Sequence, residues 1–139
     1  MFFQNQMQRD THAKVKKMLL ELYGVKNVAA LKGPEGEEVG FGMYRGSTDV
    51  QVKVYPYKNN LSAVTIFAIL TYQTKMTPEL SNWIAVISGK MMFGGLAYVE
   101  YKHKPGFGNV VFYYDIYGPT ISREALENGV DNAGILADK

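Results

Sequence analysis

Leu96-Ala97-Tyr98-Val99-Glu100-Tyr101 and Asn109-Val110-Val111-Phe112-Tyr113-Tyr114-Asp115-Ile116-Tyr117 are the two runs that decide the fold. Both are rich in aromatic and β-branched residues, which pack well on a pleated surface. Lys102-His103-Lys104-Pro105-Gly106-Phe107-Gly108 lies between them and reads as a long, basic, turn-rich loop. Two such runs joined by a loop form an antiparallel hairpin. In the second run Val110, Phe112, Tyr114 and Ile116 share one face; Val111, Tyr113, Asp115 and Tyr117 share the other. In the first, Ala97, Val99 and Tyr101 oppose Leu96, Tyr98 and Glu100. A lone hairpin is marginal in water, so the rest of the chain must supply further strands and a covering helix.

The residues upstream supply both. Thr77-Pro78-Glu79 has the N-cap, first-turn proline and early carboxylate of a helix start. Leu80, Trp83, Ile84 and Ile87 line one face of that helix, Ala85, Val86 and Met91 add apolar surface elsewhere, and no charge falls between Glu79 and Lys90. A helix so apolar is expected in the core or between the sheet and a partner. Before it, Val64-Thr65-Ile66-Phe67-Ala68-Ile69-Leu70 is apolar on both faces, and its β-branched content favours a strand. That strand belongs in the middle of a sheet, or it buries one face in the core and offers the other to a second copy.

Three shorter strands precede it. Val28–Lys32 runs into the Gly33-Pro34-Glu35-Gly36 turn, and Val39, Phe41 and Met43 alternate with Gly40, Gly42 and Tyr44. The glycines mark a bulge or a close approach to backbone. After the Tyr44–Ser47 turn, Val50, Val52 and Val54 alternate with polar residues, and Pro56–Asn60 reads as a linker. At the N-terminus, helical periodicity from Gln8 puts Thr11, Val15, Met18, Leu19 and Leu22 on one face, with Gly24 as the C-cap. Residues 1–6 read as a flexible start whose Phe2 and Phe3 are available to a partner. At the C-terminus, Ser122 caps a helix that uses Leu126, Val130 and Ala133, with Ile135 and Leu136 beyond; Gly129 and Gly134 weaken it. The expected fold is α+β, a mainly antiparallel sheet of five to six strands with three helices in the order α-β-β-β-β-α-β-β-α. At 139 residues the chain, residues 1-139, makes a single domain.

Composition narrows the function. The chain is 47% hydrophobic and 20% charged, which argues against disorder. A net charge of +2 gives little electrostatic reason to bind nucleic acid or an anionic membrane. The basic-plus-aromatic combination of Lys102, His103 and Lys104 with Tyr98, Tyr101, Phe107 and Phe112 resembles nucleic-acid surfaces, but Glu100 and Asp115 share the same hairpin. Cysteine is absent, which removes thiol catalysis and thiolate metal sites and suits a reducing compartment. No run is long and apolar enough for a membrane helix, and the first residues lack the pattern of a signal peptide, so the chain reads as cytoplasmic. His12 and His103 lack companion ligands at metal spacing and read as solvated surface residues; no cofactor or catalytic residue is expected.

Two segments carry a family resemblance. One is Thr77-Pro78-Glu79-Leu80-Ser81-Asn82-Trp83-Ile84. The other is Tyr113-Tyr114-Asp115-Ile116-Tyr117-Gly118-Pro119-Thr120-Ile121-Ser122-Arg123-Glu124-Ala125-Leu126. With the order of elements, they resemble the YbjN-like proteins, which share a fold with type III secretion chaperones. The resemblance implies a small α+β protein, often dimeric, that binds other proteins and lacks an active site. Independently, the uncharged Trp83 helix, the two-faced strand and the aromatic hairpin offer more apolar surface than one small core absorbs, and a symmetric dimer would take up the surplus. The expectation is a non-enzymatic, chaperone-like or adaptor protein acting as a homodimer, with another polypeptide as a possible partner. Its candidate interface residues are Trp83, Tyr98, Tyr101, Tyr113, Asp115 and Tyr117. The alternative is a small-molecule-binding domain or minor enzyme with a pocket between sheet and helices, near Tyr113, Asp115 and Tyr117.

Overall fold

Buried valines at every second position organise the molecule. In a computed structural model, which describes residues 2–46 and 48–137 but not the side chains of 135–137, Val50, Val52 and Val54 are wholly buried while their neighbours reach solvent. The expected places of Ser47, Ile135 and Leu136 thus lie outside the described residues or side chains. The strands are β1 (Ala29–Lys32), β2 (Glu38–Arg45), β3 (Thr48–Tyr57), β4 (Leu61–Lys75), β5 (Gly95–Tyr101) and β6 (Lys104–Tyr117). The helices are α1 (Gln6–Tyr23), α2 (Pro78–Lys90) and α3 (Arg123–Ala137). The order is α-β-β-β-β-α-β-β-α, and the antiparallel sheet runs β1-β2-β3-β4-β6-β5. β6 therefore returns beside β4, and β5 becomes the edge.

The core lies on one face. Phe41 and Met43 of β2, the three valines of β3, Val64, Ile66 and Ala68 of β4, and Phe112 of β6 meet Val15 and Leu19 of α1 and Leu126, Val130 and Ala133 of α3. Each fully buried Leu or Val contributes about 1.5–3 kcal/mol over its exposed state. The caps follow local chemistry. The Thr77 hydroxyl accepts from Leu80 N–H, and the Ser122 hydroxyl accepts from Ala125 N–H. Gly24, with φ of 89°, donates to the Leu20 carbonyl and ends α1.

Several expectations need correction. β3 runs through Pro56, where a linker was expected; the β2–β3 pairing ends at Val52, so the missing N–H of Pro56 faces no β2 partner. The basic loop is also shorter than its composition suggests. Tyr101 pairs with Lys104, so only Lys102 and His103 form the turn, and Pro105-Gly106-Phe107 follow inside β6 beside a register shift at Glu100/Tyr101. Phe2 and Phe3 pack on their own chain rather than waiting for a partner: Phe2 lies edge-on to Tyr55 and Phe3 edge-on to His12. His12 is not a solvated flank residue. It is 7% exposed, with Phe41 at 4.7 Å between ring centres and Glu38 at hydrogen-bond distance.

The glycines of β2 have the expected close neighbour. A Cβ on Gly42 would come within 3.3 Å of Leu31 Cδ2, so Leu31 of β1 lies over bare backbone. α2 is not wedged into the core, one of the two places expected for it: none of its residues is fully buried. Ile84 and Ile87 turn toward the core, and the Ser88 hydroxyl accepts from Leu96 N–H of β5. The helix thus protects an edge strand, whose unpaired backbone would otherwise invite another strand. Among the described residues, no helix is long and apolar enough to cross a membrane.

Candidate functional site

Helices α1 and α3 cover one face of the sheet, and strand alternation sends the other residues of β3, β4 and β6 to the opposite face. No side chain of that face on these three strands is fully buried. The registers place them in rows. Lys53, Thr65 and Asp115 form one row across β3, β4 and β6; Tyr55, Ala63 and Tyr117 form the next; Gln51, Phe67 and Tyr113 lie on the other side. Near the start of β4, small Ala63 sits between Tyr55 and Tyr117 of the flanking strands, and Thr65 sits between Lys53 and Asp115. The result is an open depression of about 420 Å³ lined by Tyr57, Ser62, Ala63, Thr65, Asp115, Ile116 and Tyr117.

Asp115 is exposed in this depression and accepts a hydrogen bond from the Thr65 hydroxyl at 2.6 Å. Among the described residues it has no salt-bridge partner. Its charge reaches across the sheet: burial pushes the Tyr55 phenol above its ordinary value, and the Asp115 carboxylate adds to that rise. Tyr57 already lies against a cation, with Lys58 Nζ 5.4 Å from its ring centre, and Lys53 Nζ lies 5.9 Å from the Phe67 ring centre.

The candidate interface residues fall into three groups. Tyr113, Asp115 and Tyr117 stand together on the uncovered face. They point away from α1 and α3, and Asp115 and Tyr117, but not Tyr113, line the depression, so the pocket expected between sheet and helices near these three residues is not found there; the side chains of Tyr114 and Ile116 take the helix side. Tyr98 and Tyr101 use their hydroxyls internally. Tyr98 donates to the Thr74 carbonyl at 2.8 Å, while Tyr101 donates to Asn109 and accepts from Gln73 N–H. Trp83 stands apart on α2, 47% exposed, on a helix that also exposes Val86; Met92 and Phe93, just beyond the helix, are exposed too.

Sequence reasoning did not select Tyr55, Tyr57, Ala63 or Thr65, because their convergence on Asp115 depends on two strand registers. It also missed the contact in which His12 and Lys16 of α1 meet Glu38 of β2. Among the described residues, no group of histidine, aspartate and glutamate is arranged to hold a metal ion. No family model matches the chain, and no curated protein matches it.

Proposed function

We propose that the protein is a non-enzymatic, chaperone-like or adaptor protein of the cytoplasm that binds another polypeptide and acts as a homodimer. The uncovered sheet face carries this reading. Phe67, Ile69, Val111, Tyr113 and Tyr117 stand there half-buried or exposed, in rows that an extended segment can follow. Aromatic side chains of this kind concentrate in interfaces. The exposed Trp83 and Val86 of α2 supply a second apolar surface, suited to self-association. The resemblance to the YbjN-like proteins points the same way.

Sedimentation at tens of micromolar tests the dimer, and a clean monomer would remove that part. Binding is tested by adding a reduced, carboxymethylated test polypeptide and mapping amide hydrogen exchange. Protection along β4 and β6 is expected; an unchanged pattern would sink the binding reading.

A small-molecule-binding domain or minor enzyme is the alternative. The observation favouring it is the depression at Asp115, whose volume of about 420 Å³ falls within the roughly 300–1,000 Å³ usual for ligand sites. Its openness counts the other way, since small ligands are mostly enclosed by their sites.

A further inference from the structure

Asp115 combines three properties that together specify a ligand. It is an exposed carboxylate without a salt-bridge partner among the described residues, it is held in place by Thr65, and it stands among tyrosines. Tyr113 and Tyr117 flank it two positions away along β6 on the same face, Tyr57 lines the depression, and Tyr55 stands opposite Tyr117 across Ala63. Tyrosine faces attract cations through the ring quadrupole, and a carboxylate adds a directed, charge-assisted bond. The Thr65 hydroxyl occupies one side of Oδ1, leaving further lone pairs of the carboxylate to accept.

We propose that this depression binds the guanidinium of an arginine in an extended segment of the partner polypeptide. The inference rests on the polypeptide-binding reading and names what the uncovered face selects. Arginine fits better than lysine because its planar group stacks on aromatic rings while its fork of N–H donors meets a carboxylate. A peptide fits better than a free small molecule because the depression is open and continues into the apolar row of Phe67 and Tyr113. The other charges of the region leave the carboxylate available. Lys53 is in the same row but two strands away, about 10 Å by strand spacing. It lies against Phe67, while Lys58 lies against Tyr57. Alternate residues of an extended peptide point the same way, so arginine at one position and apolar residues two positions either side match the site and its neighbours.

The probe is an acetylated nonapeptide with a central arginine flanked by alternating valines, compared with the same peptide carrying citrulline. Citrulline keeps the shape and loses the charge. Amide chemical shifts of the full chain are followed during titration. Saturable shifts at Ala63, Thr65 and Tyr117 are expected with the arginine peptide, with binding about tenfold weaker for citrulline or for Asp115→Asn, the loss typical of one charge-assisted bond. Tyr117→Phe retains the ring and should bind as wild type, whereas Tyr117→Ala should not. Equal binding of both peptides on this face overturns the guanidinium inference while upholding polypeptide binding. Binding of free arginine amide as tightly as the peptide overturns it in favour of a small-ligand site. No shift with either peptide overturns it as well, and the test-polypeptide experiment then decides the broader reading separately.

Discussion

Glu38 Oε1 lies 2.8 Å from His12 Nε2, joining the start of β2 to the buried side of α1. The second oxygen of Glu38 lies 3.1 Å from Lys16 Nζ. Partial burial pushes the Glu38 carboxyl up, but the hydrogen bonds from His12 and Lys16 and their charges together outweigh it and hold the group below its ordinary value. A carboxyl lowered in the folded state stabilises the fold above its unfolded pKa. That contribution fades as pH falls from there through the folded value. Glu38→Gln should therefore cost about 1 kcal/mol at neutral pH and flatten the acid side of the stability curve. Urea midpoints measured from neutral pH down to pH 3 check this. A variant curve parallel to wild type throughout would show that Glu38 does not set the acid limb.

Gln8 ties the N-terminal strap to the sheet. Its side chain is fully buried, donates to the carbonyls of Val54 and Phe2, and accepts from Gln4 N–H. Gln8→Leu keeps much of the volume but removes these bonds. The cost should be about 2 kcal/mol, because buried carbonyls lose their donors. Fast hydrogen exchange of residues 2–5, together with a lower thermal midpoint, is the expected signature.

These relationships show which physics reaches the surface of a sequence. Val50, Val52 and Val54 reveal their strand because alternation is local, and Thr77 and Ser122 reveal their helices because a cap acts within three residues. The same logic exposed the two faces of β6, including the outward row of Tyr113, Asp115 and Tyr117. His12 was hidden because its burial depends on Phe3 and on Glu38, 26 residues away. Pro105, Gly106 and Gly108 carry the composition of a loop, yet pairing with both neighbours draws β6 out to Lys104. The tyrosines facing Asp115 across β4 needed the registers, which no short-range pattern encodes.

Gly129 shows local propensity yielding to packing. Its position in α3 looks weak by helix propensity, but a Cβ there would stand 2.4 Å from Ile66 Cδ1, inside a closed core. Gly129→Ala gains about 1 kcal/mol in propensity. Overpacking costs about 1–3 kcal/mol and should win, leaving a less stable protein. Ile66→Val in the same chain removes the obstructing methyl and should recover part of the loss. A double-mutant cycle by urea denaturation measures that coupling.

Tyr98 holds the far end of β4. Its hydroxyl meets the Thr74 carbonyl near Gln73, which has a φ of 49° and whose N–H reaches Tyr101. Positive φ at a non-glycine residue is uncomfortable and persists where neighbours enforce it. Tyr98→Phe should cost about 1 kcal/mol and speed amide exchange at residues 73–76 while leaving Val64 and Ile66 protected. Exchange accelerated equally across β4 would mean that Tyr98 supports the whole strand instead.

Trp83 separates folding from association. At 47% exposure its indole contributes little to the isolated fold, so Trp83→Ala should leave the thermal midpoint of the dilute protein within about 2 °C, as expected for a surface change. If α2 forms the centre of a homodimer, the same truncation should cost about 2 kcal/mol or more of association free energy, roughly thirtyfold in Kd. Sedimentation of both proteins across a concentration series gives the comparison. An unchanged association constant would move the interface away from α2, and Tyr113→Ala on the uncovered face then becomes the informative variant. Loss of association there would mean that two copies meet sheet to sheet and cover Asp115, the residue that the arginine peptide should otherwise find open.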